Sequence, residues 1–160
     1  MTEAEIEIRG LRLADEFDIH TAYEEAVAEG GSFPVLPPVT LIDTRAVWID
    51  GNDRVLVAEL EGSFAGCCYV RPNYAGRGSS IANAGYLVPT SARGRGVGRA
   101  LLDRSLDEAR ELNYAAMMFN LVFERNPARR LWEAAGFREI GRVPRAIDAE
   151  QDALIYFREL

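Results

Sequence analysis

Residues 81–112 constrain the fold of this chain more than any other stretch. An apolar run, Ile81 to Val88, leads into the loop VPTSARGRGVGRALL, and a helical pattern then runs from Val97 to Leu112. In that pattern Val97, Leu101, Ala109 and Leu112 fall near one face, with Leu102 and Leu106 beside it. Asp103, Arg104, Asp107, Glu108, Arg110 and Glu111 lie mostly outside it. Glycine permits backbone angles and close approaches that a Cβ forbids. A helix start offers unpaired N–H groups and partial positive charge. A buried strand, a glycine loop and a helix in that order therefore make an anion site, usually for phosphate. Arg93, Arg95 and Arg99 add charge to it.

The flanking segments place this unit in a mixed α/β sheet. Glu5 to Arg9 alternates like a short strand, and Ala14 to Ala28 reads as a helix ended by Gly30-Gly31. Ser32 to Thr40 is a proline-rich loop, and Thr44 to Ile49 a short helical piece. Val55 to Leu60 and Phe64 to Val70 form a hairpin around Glu61-Gly62, and Arg71 to Ser80 is a second loop. Ala115 to Phe123 is a strand, Pro127 to Ala135 a helix, and Phe137 to Val143 and Leu154 to Glu159 are the last strands. The 160 residues suit one domain, 1–160, with one core.

Charge and composition exclude several classes. The net charge of −7 disfavours nucleic acid and acidic membrane as partners, since both need a positive field. All 18 basic residues are Arg, so lysine chemistry is excluded. One His and the adjacent pair Cys67-Cys68 do not make a metal site or a disulfide framework. The cysteines read as small apolar strand residues. No apolar run approaches a membrane span and the acidic start MTEAEIEIRG is unlike a signal peptide, so a cytoplasmic location is expected.

The loop can then be sorted among phosphate cradles. A P-loop ends in Gly-Lys-Ser/Thr, and there is no Lys. A dinucleotide fingerprint needs glycine where Arg99 stands, and an acidic residue about twenty positions on, where Met117-Met118 is found. What remains is Arg93-x-x-Gly96-x-Gly98. This resembles the coenzyme A loop of the GNAT family of N-acetyltransferases, including the preceding Val-Pro and the following Arg-Ala-Leu-Leu. Further on, NLVFERNPARRLWEAAGF (120–137) matches the family's Asn, short helix and Gly-Phe at Asn126, Leu131 and Gly136-Phe137. The resemblance covers roughly residues 80 to 145.

It implies a mixed, mostly antiparallel sheet flanked by helices, whose fourth and fifth strands splay to admit the pantetheine arm. It implies acetyl-CoA as cosubstrate, held by Val88, Arg93, Gly94, Arg95, Gly96, Val97, Gly98, Arg99 and Asn126. A homodimer is a common assembly in the family. The sequence departs from the pattern where Trp132 replaces the usual Tyr, since an indole N–H cannot protonate a leaving thiolate. The spacing from Asn126 to Gly136 is also one residue shorter than common. Segments such as GCCYVRPNYAGRGSSIANAGYLV and FNLVFERN resemble the fungal branch that acetylates azetidine-2-carboxylate and also carries Trp. That branch uses Asn residues. By this resemblance Asn83 and Asn120 contact substrate, and Asn120 and Asn126 act in catalysis by fixing the backbone and amide donors around the thioester.

The implied reaction is direct attack of a small-molecule amine, with amino and imino acids as candidates, on the thioester. Peptide or protein N-terminal acetylation, and a catalytically silent CoA-binding module, are the alternatives. Glu59, Glu124, Tyr69 and Tyr86 are strand residues that could line the cleft, and none stands out as the base. His20 is read as a surface or core residue. The proton is expected to leave through water or a substrate carboxylate.

Overall fold

The structure, a computed structural model, describes residues 5–160. Strand β1 (Ile6–Gly10) is followed by helices α1 (Glu16–Glu29) and α2 (Leu41–Trp48). Strands β2 (Arg54–Leu60), β3 (Ser63–Pro72) and β4 (Ile81–Leu87) come next, then α3 (Val97–Glu111), β5 (Ala116–Phe123), α4 (Arg129–Ala134), β6 (Arg138–Asp148) and β7 (Gln151–Glu159). This is the element order expected from the sequence.

The strands form a seven-stranded sheet in the order β1-β2-β3-β4-β5-β7-β6. All neighbours are antiparallel except β4 and β5. Strand alternation sends side chains to opposite faces. Cys67 packs with Val57, Tyr69 and the buried sides of α1 and α2. Cys68, the next residue, faces the other way and packs with Leu56, Ala58 and Leu101 of α3. Burial pushes both thiols up, so the pair is inert filling.

Local signals account for the helix ends. Gly30 (φ 72°) closes α1 in the left-handed region, its N–H donating to the Ala26 carbonyl. Helix α2 begins three residues before the expected Thr44, because Thr40 and Asp43 form a capping box. Those hydrogen bonds hold the Asp43 carboxyl below its usual range. His20 joins the two helices, its Nδ1 lying 2.8 Å from the Thr44 hydroxyl.

The final hairpin is longer than expected. β6 runs through Pro144 to Asp148, with a register shift between Val143 and Asp148 and Arg145 at φ 54°. Proline, which has no N–H to donate, is tolerated because β6 is the edge strand and no outer strand needs that donor.

The parallel pair β4–β5 decides the architecture of the site. Only Ile81↔Ala116 and Ala82↔Met117 are paired. Beyond them the strands part. At the next position the Asn83 side chain bridges the widening gap, its Nδ2 donating to the Met118 carbonyl at 3.0 Å.

Candidate active site

A cavity of about 920 Å³ opens where β4 and β5 diverge. One end is formed by the turn leaving β4 and the start of α3, with Val88, Arg93 and Gly98 on its wall. The wall continues along β5 and the turn after it through Phe119, Asn120 and Asn126. The other end is closed by α1, α2 and the proline-rich loop.

The β4–α3 turn is shaped by glycine. Gly94 and Gly96 have φ of 73° and 86°, in the left-handed region, and Gly96 is the residue before the first turn of α3. An added Cβ at Gly96 would come only within 3.6 Å of Ile6, so conformation rather than space demands glycine there. Among the described residues, no protein acceptor meets the N–H groups from Gly94 to Arg99. The first helical bond from this region is that of Ala100 to the Gly96 carbonyl. A run of free donors at the start of a 15-residue helix is a phosphate-binding arrangement.

The arginines of the loop are engaged elsewhere. Arg93 lies 2.8 Å from Glu29 of α1 and donates from Nε to the Val88 carbonyl at 3.2 Å. Arg99 is 2.8 Å from Asp103, and Arg95 is 3.8 Å from Glu61 on the β2–β3 hairpin. Of the three, only Arg93 reaches the cavity wall. Val97 turns its side chain into the core, which leaves its N–H as its contribution.

The asparagines are each held by a different device. Asn83 spans the strand split and also accepts from the Tyr69 hydroxyl at 3.3 Å. Asn120 sits in a bulge of β5 and exchanges two hydrogen bonds with Asn73 of the β3–β4 loop, at 3.1 and 2.6 Å. Asn126 closes the β5–α4 turn, its Oδ1 accepting from the Ala128 N–H at 2.9 Å. Arg129 is tied to the Tyr156 hydroxyl and the Glu124 carbonyl at 2.9 and 2.6 Å. Trp132 is buried against Phe119, ring centroids 5.0 Å apart.

Two of the strand residues expected near the cleft are not on its wall. Glu59 is hydrogen-bonded to Arg9 at 2.8 Å, and Glu124 pairs with Arg142 at 2.9 Å. Tyr69 and Tyr86 do line the cavity, and burial pushes both phenols up, so both are protonated near neutral pH. Glu29 is the carboxylate on the wall, held below its usual range by hydrogen bonds from Arg93 and Thr90.

The closed end was not legible from the sequence. Tyr23, Phe33, Trp48 and Tyr69 meet edge to face, with centroid separations of 5.4 to 5.6 Å. They come from α1, the proline-rich loop, α2 and β3, and no motif joins them.

Parallel strands that split over a cavity, with free N–H groups on the helix that follows the first, define a fold for acyl transfer from coenzyme A. The acetyltransferase (GNAT) family profile matches residues 17–137, and the chain belongs to that family. The family's cosubstrate is acetyl-CoA, and the donors at α3 and the long cavity fit it.

A GCN5-related N-acetyltransferase from Kribbella flavida is 34% identical, with a TM-score of 0.92 over 97% of this chain and 98% of that one. The yncA protein of Salmonella typhimurium, solved with its cofactor acetyl-CoA, is 25% identical, with a TM-score of 0.84 over 98% and 95%. The N-acetyltransferase aca1 of Schizosaccharomyces pombe is 42% identical over 82 residues, 51% of this chain. The chain spans 39% of that relative's length in this match. No helix among the described residues is long and apolar enough to cross a membrane.

Proposed function

We propose that the protein is an acetyl-CoA-dependent N-acetyltransferase that acetylates the amine of a small molecule, an amino or imino acid. The observation that carries this reading is the cavity itself. Its far end is walled by the aromatic cluster and by Phe33, Pro34 and Val35, and this suits a small acceptor rather than a chain running through a groove.

Acetyl-CoA supplies the activated acyl group. The chain's own residues do the rest. The N–H groups from Gly94 to Arg99 hold the pyrophosphate, with the α3 dipole behind them. Val88 and Asn126 flank the arm between the parted strands. Asn83 bridges the parted strands at the point where the amine meets the acyl carbon. Fixing two reactants in this way is worth roughly 7–11 kcal/mol in favourable cases.

Among the described residues on the cavity wall, none is suited to act as a base. Glu29 is ionised and neutralised by Arg93, and Tyr69 and Tyr86 hold their protons. The amine therefore loses its proton to water before it attacks. It follows that kcat/KM rises with pH until the acceptor's own amine pKa is passed.

The test is free-thiol release from acetyl-CoA across amines, imino acids and short peptides, with Tyr69→Phe in parallel. Turnover of small amines and an active Tyr69→Phe variant are expected. Peptides as the only acceptors would overturn the small-molecule reading. Loss of turnover in Tyr69→Phe with unchanged CoA affinity would overturn the proton route.

A further inference from the structure

Arg71, Arg93 and Arg125 are the arginines on the cavity wall. Arg93 is neutralised by Glu29, and Arg125 stands 3.9 Å from Glu150. Arg71 has no carboxylate within ion-pair distance among the described residues. Arg77, Arg130, Arg138, Arg145 and Arg158 share that feature among the described residues, but none of them lines the cavity. The Arg71 guanidinium lies over the Tyr69 ring, 4.6 Å from the centroid. Its nearest polar side-chain partner is the Tyr69 hydroxyl at 3.5 Å, at the limit of a hydrogen bond. A guanidinium resting on an aromatic face keeps its in-plane donors free, and those donors match a carboxylate two at a time.

The position of Arg71 matters as much as its freedom. On β3 it stands directly opposite Asn83 of β4. Asn83 marks the first step of the strand split, where acceptor and acyl carbon meet. Tyr69 lies two residues earlier on the same face, and its ring is 5.4 Å from that of Trp48. Trp48 is fully buried and lines the cavity, and its indole Nε1 has no acceptor among the described residues. The Trp48 indole N–H, which lacks an acceptor, and the Arg71 guanidinium, whose polar side-chain partner is the Tyr69 hydroxyl at 3.5 Å, thus flank Tyr69 beside an aromatic wall that suits carbon.

We infer that the acceptor must carry a free carboxylate next to its amine, and that Arg71 is the specificity-determining residue that holds it. The inference rests on the small-molecule reading above. The aromatic wall takes the acceptor's carbon skeleton, and Arg71 turns the amine toward the opening between β4 and β5. Arg71 acts in binding and orientation and takes no part in proton transfer.

The experiment compares matched acceptors: amino and imino acids, their carboxamides and the corresponding amines without the carboxyl carbon. Each is measured by thiol release with the native protein, Arg71→Ala and Arg71→Lys. Charge-assisted hydrogen bonds are strong enough that the acid should exceed its carboxamide by about 10- to 100-fold in kcat/KM in the native protein. Arg71→Ala should bring that ratio close to one, mainly through a higher KM for the acid, with acetyl-CoA affinity unchanged. Arg71→Lys should restore part of the ratio. The inference is overturned if the native protein uses carboxamides as well as acids, or if the preference survives in Arg71→Ala. Thiol release with peptides only, or with no amine at all, would instead overturn the small-molecule reading on which it rests.

Discussion

The turns that leave β4 and β5 are both short polar segments between an apolar strand and a helix, and they treat their N–H groups in opposite ways. After β4, glycines at positive φ present a run of N–H groups with no protein acceptor at the start of a 15-residue helix. After β5, Asn126 accepts from the Ala128 N–H, and Arg129 spans the turn to the Glu124 carbonyl. The helix that follows has only 6 residues. The first turn leaves its donors free, and the second is closed by its own side chains. The lesson is that an anion site requires donors the protein declines to satisfy, whatever the local charge. The loop arginines support this, because each already has a carboxylate partner.

Substitutions can break this contrast. The largest effect is expected from Gly96→Val. A β-branched residue resists φ near 86°, so the fan of donors is lost, and several charge-assisted bonds go with it. Acetyl-CoA affinity should fall at least about 100-fold by calorimetry, since these bonds are worth roughly 1.5–3 kcal/mol each. Unchanged affinity would mean that this turn is not the grip.

Asn126→Ala should act mainly on stability, by about 1 kcal/mol in urea unfolding, because it removes the turn hydrogen bond from the Ala128 N–H. A loss of CoA binding as large as that of Gly96→Val would mean the second turn is a ligand site after all. Arg129→Ala should cost about 1 kcal/mol through its lost hydrogen bonds to Tyr156 and the Glu124 carbonyl, and leave CoA affinity unchanged. The smallest effects should come from Arg93→Ala and Arg99→Ala, each less than about tenfold in CoA affinity, as their exposed ion pairs contribute little. Either one exceeding Gly96→Val would make side-chain charge, not backbone geometry, the basis of binding.

Much of the first end of the cavity was legible in the chain. Gly94, Gly96 and Gly98 mark a turn whose chemistry is local, since backbone donors are set by φ and by the helix that follows within a few residues. The expected strands and helices mostly hold for the same reason. Two features were missed, the Thr40–Asp43 capping box and the continuation of β6 past Pro144. The second depends on β6 being an edge strand, which only the completed sheet decides.

The roles of the asparagines depended equally on tertiary structure. Asn83 and Asn120 stand out as polar residues in apolar strands. That one bridges a strand split to the Met118 carbonyl, and the other pairs with Asn73, follows from contacts 35 and 47 residues apart in sequence.

The sequence by itself determined the order of elements, the glycine turn and, through them, the family. Each of these rests on hydrogen bonding and periodicity within a few residues. The tertiary structure alone decided the aromatic end of the cavity. Tyr23, Phe33, Trp48 and the β3 pair Tyr69 and Arg71 come from four separate segments and meet only when α1 and α2 pack on the sheet. Their common wall exists because burial brings distant side chains to one face, and no spacing along the chain records that.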